Sequence, residues 1–206
     1  MTIAPDDEPL ADLGVRRASA GDLDALTATL TAAFANDPVW SWAFPDQRAL
    51  GAWWCLLINS ALRYRWVWTI DDYAAVAVWI PPGGVELTAE EAAQVGPRLE
   101  DLAGPRAAAI LDLVERFDAT HPAEPPHYYL SLLGTHPRHR GKGLGIALLG
   151  RNLATIDAEG MPAYLESTNA ANDSRYERQG FRKVGSFSRP DGQLAISTMW
   201  RDPRSG

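Results

Sequence analysis

The segment from Arg138 to Gly145, with the sequence RHRGKGLG, combines three cationic side chains and three glycines within eight positions. Glycine lets the main chain approach a ligand closely, and the first amides of a helix lack intrahelical acceptors. Placed directly before a predicted helix, such a segment favours phosphate as its ligand. The residues of the predicted phosphate-binding loop are Arg138, Arg140, Gly141, Lys142, Gly143, Leu144 and Gly145.

Three phosphate-binding patterns compete for this segment. A P-loop needs four residues between its first glycine and a Gly-Lys-Ser/Thr ending, and that order is missing. A dinucleotide-binding loop needs G-x-G-x-x-G, and Ile146 stands where the third glycine belongs. The pattern Arg-x-x-Gly-x-Gly is met by Arg140, Gly143 and Gly145. An ordinary glycine-rich turn with solvated basic side chains is the alternative.

The elements that must position this loop mix strands and helices irregularly. Periodicity and turn residues predict strands over residues 14–19, 66–70, 74–80, 127–133, 162–167, 181–188 and 194–200. They predict helices over residues 23–34, 47–64, 143–159 and 172–179, and two helices within 87–117. Because no strict βαβ repeat appears, we expect one α+β domain with a mixed, mostly antiparallel sheet flanked by helices.

The sequence resembles the GCN5-related N-acetyltransferase (GNAT) superfamily at two motifs in the correct order. Arg140–Gly145, RGKGLG, matches its pyrophosphate loop, and Asn172 with Tyr176–Phe181, YERQGF, matches its N…YE-x-x-GF helix. The chain is similar over about residues 14–200, and within the superfamily it is similar to the puromycin N-acetyltransferases. The segments that carry this closer similarity are 71–82, 96–104, 121–145 and 163–181. The segment VWSWAFPD, residues 39–46, departs from it.

This resemblance implies a GNAT-type domain whose two central parallel strands, within residues 127–133 and 162–167, splay apart. It implies acetyl-CoA as the acyl donor, with its pantetheine arm against Leu132, Leu133 and Gly134 and with Asn172 also at the cofactor. The implied reaction is direct attack of an amine on the thioester, without a metal. In agreement, none of the four histidines has H-x-x-x-H spacing.

Three residues are candidates for proton transfer. With the motif in place, Tyr176 is predicted to be the general acid, because a phenol with a pKa of about 10 is a donor at neutral pH. Glu166 is the first candidate to bind and deprotonate the acceptor ammonium, and His127 is the second. Each has a structural alternative: a half-buried tyrosine, an ion pair between Glu166 and Arg175, and a surface histidine.

The acceptor is predicted to be a small-molecule amine, such as an amino-nucleoside or another xenobiotic. Trp40, Trp42 and Phe44 lie in a stretch predicted to be non-helical and are candidates for an aromatic pocket, with Asp37 as its polar group. Core packing is the alternative for these rings. Two other functions stay open: acetylation of a protein N-terminus or lysine, and non-catalytic sensing of acyl-CoA.

Composition restricts the remaining classes. The 206 residues carry 26 acidic and 19 basic side chains, a net charge of −7, which argues against nucleic-acid binding. The chain has no 18-residue apolar run, its N-terminus lacks a basic n-region, and Cys55 is its single cysteine, so we expect a cytoplasmic protein without membrane contact. We expect a flexible acidic tail at residues 1–12 and an N-acetyltransferase domain at 13–206, as a monomer or a homodimer.

Overall fold

A mixed seven-stranded sheet organises residues 14–204, which are the residues that the computed structural model describes. The strands are β1 (Arg16–Arg17), β2 (Val67–Thr69), β3 (Ala75–Ile80), β4 (Tyr128–Thr135), β5 (Ala163–Ser167), β6 (Arg182–Ser188) and β7 (Ala195–Arg201). The helices are α1 (Leu23–Phe34), α2 (Trp40–Ala43), α3 (Gln47–Ala61), α4 (Ala89–Ala93), α5 (Val95–Ala103), α6 (Ala107–Thr120), α7 (Leu144–Ala158) and α8 (Asp173–Arg178). The tail predicted at residues 1–12 lies outside the described residues.

The strands follow the spatial order β1-β2-β3-β4-β5-β7-β6, and only β4 and β5 pair in parallel. Their pairing is short: it joins Tyr128 to Ala163 and Tyr129 to Tyr164, although β4 continues to Thr135. Beyond that point the two strands separate. The prediction of a mostly antiparallel α+β sheet with splayed central parallel strands is therefore confirmed.

Helices cover both faces of the sheet, and β3 shows this most directly because all six of its residues are buried. Val76, Val78 and Ile80 belong to the apolar core that includes residues of α1, α3 and α6. Ala75, Ala77 and Trp79 alternate with them and pack in the second core, with α7. Because successive side chains of a strand point to opposite faces, alternate residues of β3 pack in the two cores on opposite sides of the sheet. No helix within residues 14–204 is long and apolar enough to cross a bilayer.

The segment predicted to be non-helical, residues 39–46, contains the short helix α2, so that prediction is wrong for Trp40–Ala43. Asp37 explains the difference. Its Oδ1 accepts the main-chain amides of Val39 at 2.9 Å and Trp40 at 3.1 Å, which satisfies donors that a helix start leaves free. Pro38 interrupts the chain after α1 but is compatible with a new helical turn that begins just beyond it.

Candidate active site

The loop after β4 leaves the first turn of α7 open toward a cavity of about 700 Å³. Gly143 is the N-cap of this 15-residue helix with a φ of 72°, and no side chain caps the helix there. Gly141 has a φ of 81°, and a Cβ on either glycine would meet open space. The main chain thus presents uncapped helix amides, an arrangement that suits a phosphate group.

The basic side chains around this cavity come from two separate elements. His139 and Arg140 lie on the loop, and Arg175 and Arg178 lie on α8. Arg140 also donates to the carbonyl oxygen of Ala33 at 2.7 Å, which ties the loop to the end of α1. The local positive charge complements the helix amides, although the chain as a whole is acidic.

The gap between β4 and β5 opens beside the same cavity. Leu133 and Gly134, which the sequence places at the pantetheine arm of a donor, line this cavity. Leu132, predicted with them, lines a neighbouring cavity instead. Because the strand pairing ends at Tyr129 and Tyr164, the main-chain groups of β4 that point toward β5 beyond this level lack a strand partner. They are free to pair with an extended ligand that carries amides.

A second cavity, also of about 700 Å³, lies between the sheet and helices α1, α3 and α6. Among the described residues its ionisable lining is acidic apart from two histidines and Tyr129 and Tyr176, and includes Asp37, Glu86, Glu115, Asp118, Glu166, His121 and His127. Its aromatic lining is Phe34, Trp40, Trp53, Trp54, Phe117, Tyr129 and Tyr176. Carboxylates and ring faces both attract a cation that carries an apolar part.

The two cavities meet at five residues that line both of them: Phe34, Asp37, Leu133, Asn172 and Tyr176. Burial raises the pKa of Tyr176 to about 12, and the nearby carboxylates of Asp37 and Asp173 add to the rise. The phenol therefore keeps its proton at neutral pH. A hydrogen-bond donor is thus placed where a ligand of one cavity would reach a ligand of the other.

Asp37 lines both cavities, but its two oxygens already have partners within the chain. Oδ1 accepts the two amides at the start of α2, and Oδ2 accepts the hydroxyl of Thr168 at 2.8 Å. Burial raises the pKa of this carboxyl group, although each of these hydrogen bonds favours the charged form. The carboxylate therefore holds α2 against the residue that follows β5, in addition to facing the cavities.

Glu166 lies in the second cavity with its side chain only 2% exposed. Its Oε1 is 3.9 Å from Nδ1 of His121. The ion pair with Arg175 that the sequence left open is not formed, because Arg175 donates to Oδ1 of Asn172 at 3.1 Å instead. The carboxylate is therefore held inside the cavity, where it can receive an ammonium group.

His127, the second candidate base, is buried at the start of β4 and lines the same cavity. Its Nδ1 is 2.8 Å from the carbonyl oxygen of Pro125, and its Nε2 is 3.1 Å from Nε2 of His121. Burial lowers the pKa of His127, and the neighbouring His121 lowers it further. His127 is therefore neutral at physiological pH, with both nitrogens occupied.

Glu86 is a further acidic residue of this cavity, and the loop that carries it is fixed on both sides. Arg63 and Tyr64 hydrogen-bond the main chain of the preceding residue, Val85. The hydroxyl of Ser131 on β4 donates to the Glu86 carboxylate. A carboxylate on a loop is thus held at a defined place in the cavity wall.

Burial raises the pKa of Glu86 from 4.5 to about 7, and the charges of Glu166 and Asp118 contribute. An acid with a higher pKa in the folded state loses folding stability as pH rises between these two values. Replacing Glu86 with Gln is therefore expected to raise the free energy of unfolding by about 1–3 kcal/mol at pH 8 and to leave it unchanged at pH 4. Urea unfolding at both pH values measures this. Glu100→Gln, at an exposed position on α5, is the control, and an equal pH dependence in both variants would contradict the assignment.

Two of the predicted pocket aromatics lie elsewhere. Trp40 lines the second cavity, but Trp42 and Phe44 line neither cavity. The guanidinium of Arg189 lies 4.8 Å over the ring of Trp42, and Phe44 is buried against Trp53. The helical turn of α2 explains the position of Trp42, because residues 40 and 42 of a helix point about 200° apart. Phe44 follows the helix with non-helical backbone angles and packs in the core instead.

The predicted loop is also smaller than expected. Arg138 and Lys142 are exposed and do not line the cavity, while Arg140 and the loop glycines do. The positive charge that these two residues were expected to supply comes instead from Arg175 and Arg178 on α8. Arg175 and Arg178 are three positions apart, with Tyr176 between them, and this spacing indicates a shared face of a helix.

Several residues of the second cavity carry no signal in the sequence, namely Trp53, Trp54, Glu86, Asp118, His121 and Tyr129. They come from α3, the loop after β3, α6 and β4, so no short motif joins them. Within the described residues no group of three or more His, Cys, Asp or Glu side chains is arranged to hold a metal ion.

Known proteins share the sequence pattern and the fold of this chain. The sequence model of the acetyltransferase (GNAT) family matches residues 27–181. An uncharacterized N-acetyltransferase of Schizosaccharomyces pombe is 22% identical over 218 residues, which cover 94% of this chain and 85% of that protein.

Solved structures share the fold over nearly the whole chain. A Corynebacterium glutamicum protein described as histone acetyltransferase HPA2 and related acetyltransferase is 25% identical, with a TM-score of 0.67, over 93% of this chain and 97% of its own. Arylalkylamine N-acetyltransferase 2 from Aedes aegypti has a TM-score of 0.68 at 16% identity, over 92% and 98% of the two chains. At that identity the second likeness concerns the fold alone.

Proposed function

This chain belongs to the acetyltransferase (GNAT) family and is an acetyltransferase, and we propose that it moves acetyl from acetyl-CoA to the primary amine of a small molecule. The observation that carries the proposal is the meeting of two cavities at Tyr176 and Asp37. One cavity offers helix amides and basic side chains to an anion. The other offers carboxylates and aromatic rings to a cation. A donor and an acceptor bound in them would adjoin at a proton-bearing phenol.

The first cavity fits acetyl-CoA by its donor groups. The open amides at Gly143 and the side chains of Arg140, Arg175 and Arg178 would hold the phosphate part, and the separated edge of β4 would hold the amide-bearing arm. When bound, acetyl-CoA supplies a thioester carbonyl that an amine can attack directly. The chain's own contribution is to place this arm along Leu133 and next to the second cavity.

Gly143→Val is expected to weaken acetyl-CoA binding about tenfold or more, the scale of losing charge-assisted hydrogen bonds. The branched side chain would project from the N-cap into the space beside the helix amides, and it disfavours the left-handed backbone conformation. Isothermal calorimetry with acetyl-CoA measures the affinity.

Gly160→Val is the matched control, because Gly160 has a φ of 67°, open space at its Cβ and a position after the far end of α7. Both variants share the backbone strain, so only the loop variant should lose affinity. Equal affinity in the two folded variants would show that the loop does not hold the donor.

The second cavity supports a cationic acceptor with an aromatic or apolar part. All its carboxylates repel anionic substrates, and a tryptophan face attracts a cation within about 6 Å of its ring. Trp40 and Trp53 line the cavity with small exposed parts of their rings, and the fully buried Trp54 packs edge-on against Trp40. An arylalkylamine or an amino-nucleoside with an alkyl amino group matches this lining in charge and in planarity.

Two side chains carry the proton transfers of the proposed reaction. A primary amine has a pKa of about 10.4, so it arrives as an ammonium ion that cannot attack a carbonyl. The buried Glu166 carboxylate binds the ammonium and accepts a proton from its nitrogen. Tyr176, protonated at neutral pH, holds the proton needed by the departing sulfur.

An acceptor screen tests the function. The purified protein is incubated with acetyl-CoA and with arylalkylamines, amino-nucleosides, aliphatic amines, a lysine peptide and a peptide with a free N-terminus, and CoA release is recorded. The proposal expects arylalkylamines or amino-nucleosides to be the best acceptors by kcat/KM. Preference for either peptide would favour protein acetylation, and tight acetyl-CoA binding without transfer to any amine would favour a sensor.

A further inference from the structure

The connector between α6 and β4 brings two histidines into contact beside Glu166. His121 caps the C-terminus of α6 and His127 precedes β4, with ring centroids 5.0 Å apart. Three prolines lie between them in sequence. The contacts form a continuous line from the Pro125 carbonyl oxygen through His127 and His121 to the carboxylate of Glu166.

The positions of the hydrogens on the two imidazoles follow from the Pro125 carbonyl oxygen at one end of this line. A carbonyl oxygen only accepts hydrogen bonds, so Nδ1 of His127 must carry the hydrogen that spans the 2.8 Å to Pro125. Neutral His127 then has a bare Nε2, which makes Nε2 of His121 the donor across 3.1 Å. Neutral His121 therefore has a bare Nδ1, and this is the nitrogen 3.9 Å from Oε1 of Glu166. These two acceptor atoms are farther apart than a hydrogen bond, so a shared proton needs a shift of either side chain or one bridging water between them.

The exposure of the two groups differs in a way that matters for proton release. The Glu166 side chain is 2% exposed, whereas that of His121 is 32% exposed. A proton taken up by Glu166 thus has no direct contact with bulk water. The imidazole of His121 touches both the buried carboxylate and the solvent.

Acidic side chains and aromatic rings surround His121. Glu166 on β5 and Asp118 on α6 are two acidic neighbours. Glu86, on the loop after β3, is the third, and with a pKa of about 7 it carries only part of a negative charge at neutral pH. The rings of Tyr129 and Tyr164 pack edge-on against the imidazole at 4.7 and 5.0 Å. The remaining titratable neighbour, His127, is held neutral by burial and so adds no positive charge.

We propose that His121 is a proton relay, which takes the acceptor's proton from Glu166 at Nδ1 and delivers it to solvent, while His127 is a positioning residue that keeps Nδ1 of His121 bare. This inference rests on the proposed amine acetylation. An ammonium that becomes an N-substituted amide loses two protons. One passes through Tyr176 to the departing sulfur, and the other passes from nitrogen to Glu166, then to His121, then to water. No redox partner is needed.

The proton positions are measurable without any substrate. In the ¹⁵N-labelled protein at pH 8, long-range ¹H–¹⁵N correlation spectra are expected to show His127 with its proton on Nδ1 and His121 with its proton on Nε2. His121 with its proton on Nδ1 would overturn the relay. Because this measurement needs no turnover, a failure of the proposed function, seen as a wild-type protein that acetylates no amine, is recognised separately.

Chemical rescue tests the relay during turnover. His121→Ala is expected to lower kcat/KM for the amine about tenfold at pH 7, because water replaces the imidazole poorly as a proton acceptor. Added imidazole should restore the rate with increasing concentration, since the vacated position is partly open to solvent. The same imidazole should not restore the rate of Glu166→Gln, because position 166 is buried and imidazole cannot reach it from solvent.

A merely structural His121 would give a different pattern. Its loss would then lower the rate without a response to imidazole, and that result overturns the proposal. His121→Gln, which keeps an N–H donor for His127, serves as the second variant if the alanine variant is unstable. Calorimetry should show unchanged acetyl-CoA affinity in both, because His121 does not line the donor cavity.

Discussion

Replacing Tyr176 with Phe is expected to lower kcat about 10²-fold, the lower end for a positioned acid catalyst. The substitution removes only the hydroxyl from a ring that lines both cavities. Because the pKa of Tyr176 is raised to about 12, the wild-type phenol is a donor over the whole neutral range. The affinity for acetyl-CoA should stay within about twofold, since one neutral contact contributes little net free energy.

Steady-state kinetics measure kcat, and single-turnover kinetics measure the rate of acetyl transfer itself. Both are needed, because kcat reflects the loss of the acid only where acetyl transfer limits turnover. Tyr128→Phe is the matched control: its hydroxyl donates to Glu159 at 2.6 Å, and the residue lines neither cavity. The control should lose some stability and keep its activity. A Tyr176→Phe variant with wild-type single-turnover rates would remove the phenol from the mechanism.

Replacing Glu166 with Gln is expected to lower kcat/KM for the amine about 10²-fold and to flatten the acidic limb of the pH–rate profile. The amide occupies the same volume, but it neither accepts the ammonium proton nor offsets the ammonium charge in a closed cavity. Acetyl-CoA binding should be unchanged, because Glu166 does not line the donor cavity. Calorimetry and pH-dependent kinetics separate the two effects.

Glu159→Gln is a suitable control, because that glutamate lies outside both cavities and pairs with Tyr128. It should retain both the rate and the shape of the profile. If Glu166→Gln retained them as well, the ammonium proton would leave through His127 or through water alone.

The parts of the site that the sequence predicts are contiguous in the chain. The glycine loop and the first turn of α7 follow one another directly, so composition and a helix start suffice to predict an anion site. The YERQGF motif likewise contains Tyr176, which lies on the short helix α8 as predicted. Even here, the direction of single side chains was not predictable. Arg140 lines the cavity, whereas Arg138 and Lys142, two positions before and after it, do not. The backbone angles of the loop set these directions, and they cannot be read from the charges of the residues.

The acceptor cavity, in contrast, depends on tertiary structure alone. Glu86, Asp118, His121 and Glu166 lie on three separate segments, and the sequence singled out only Glu166 because it ends a predicted strand. Their proximity depends on the separation of β4 from β5 and on the packing of α6 over the sheet.

The sequence by itself determined the family, the anion loop and the candidate acid, because local motifs carry them. Only the tertiary structure decided which carboxylates share the cavity, which tryptophan faces it and how His121 meets Glu166. The physical reason is that burial and long-range contact, which set charge and proton position, are properties of the packed chain and not of neighbouring residues.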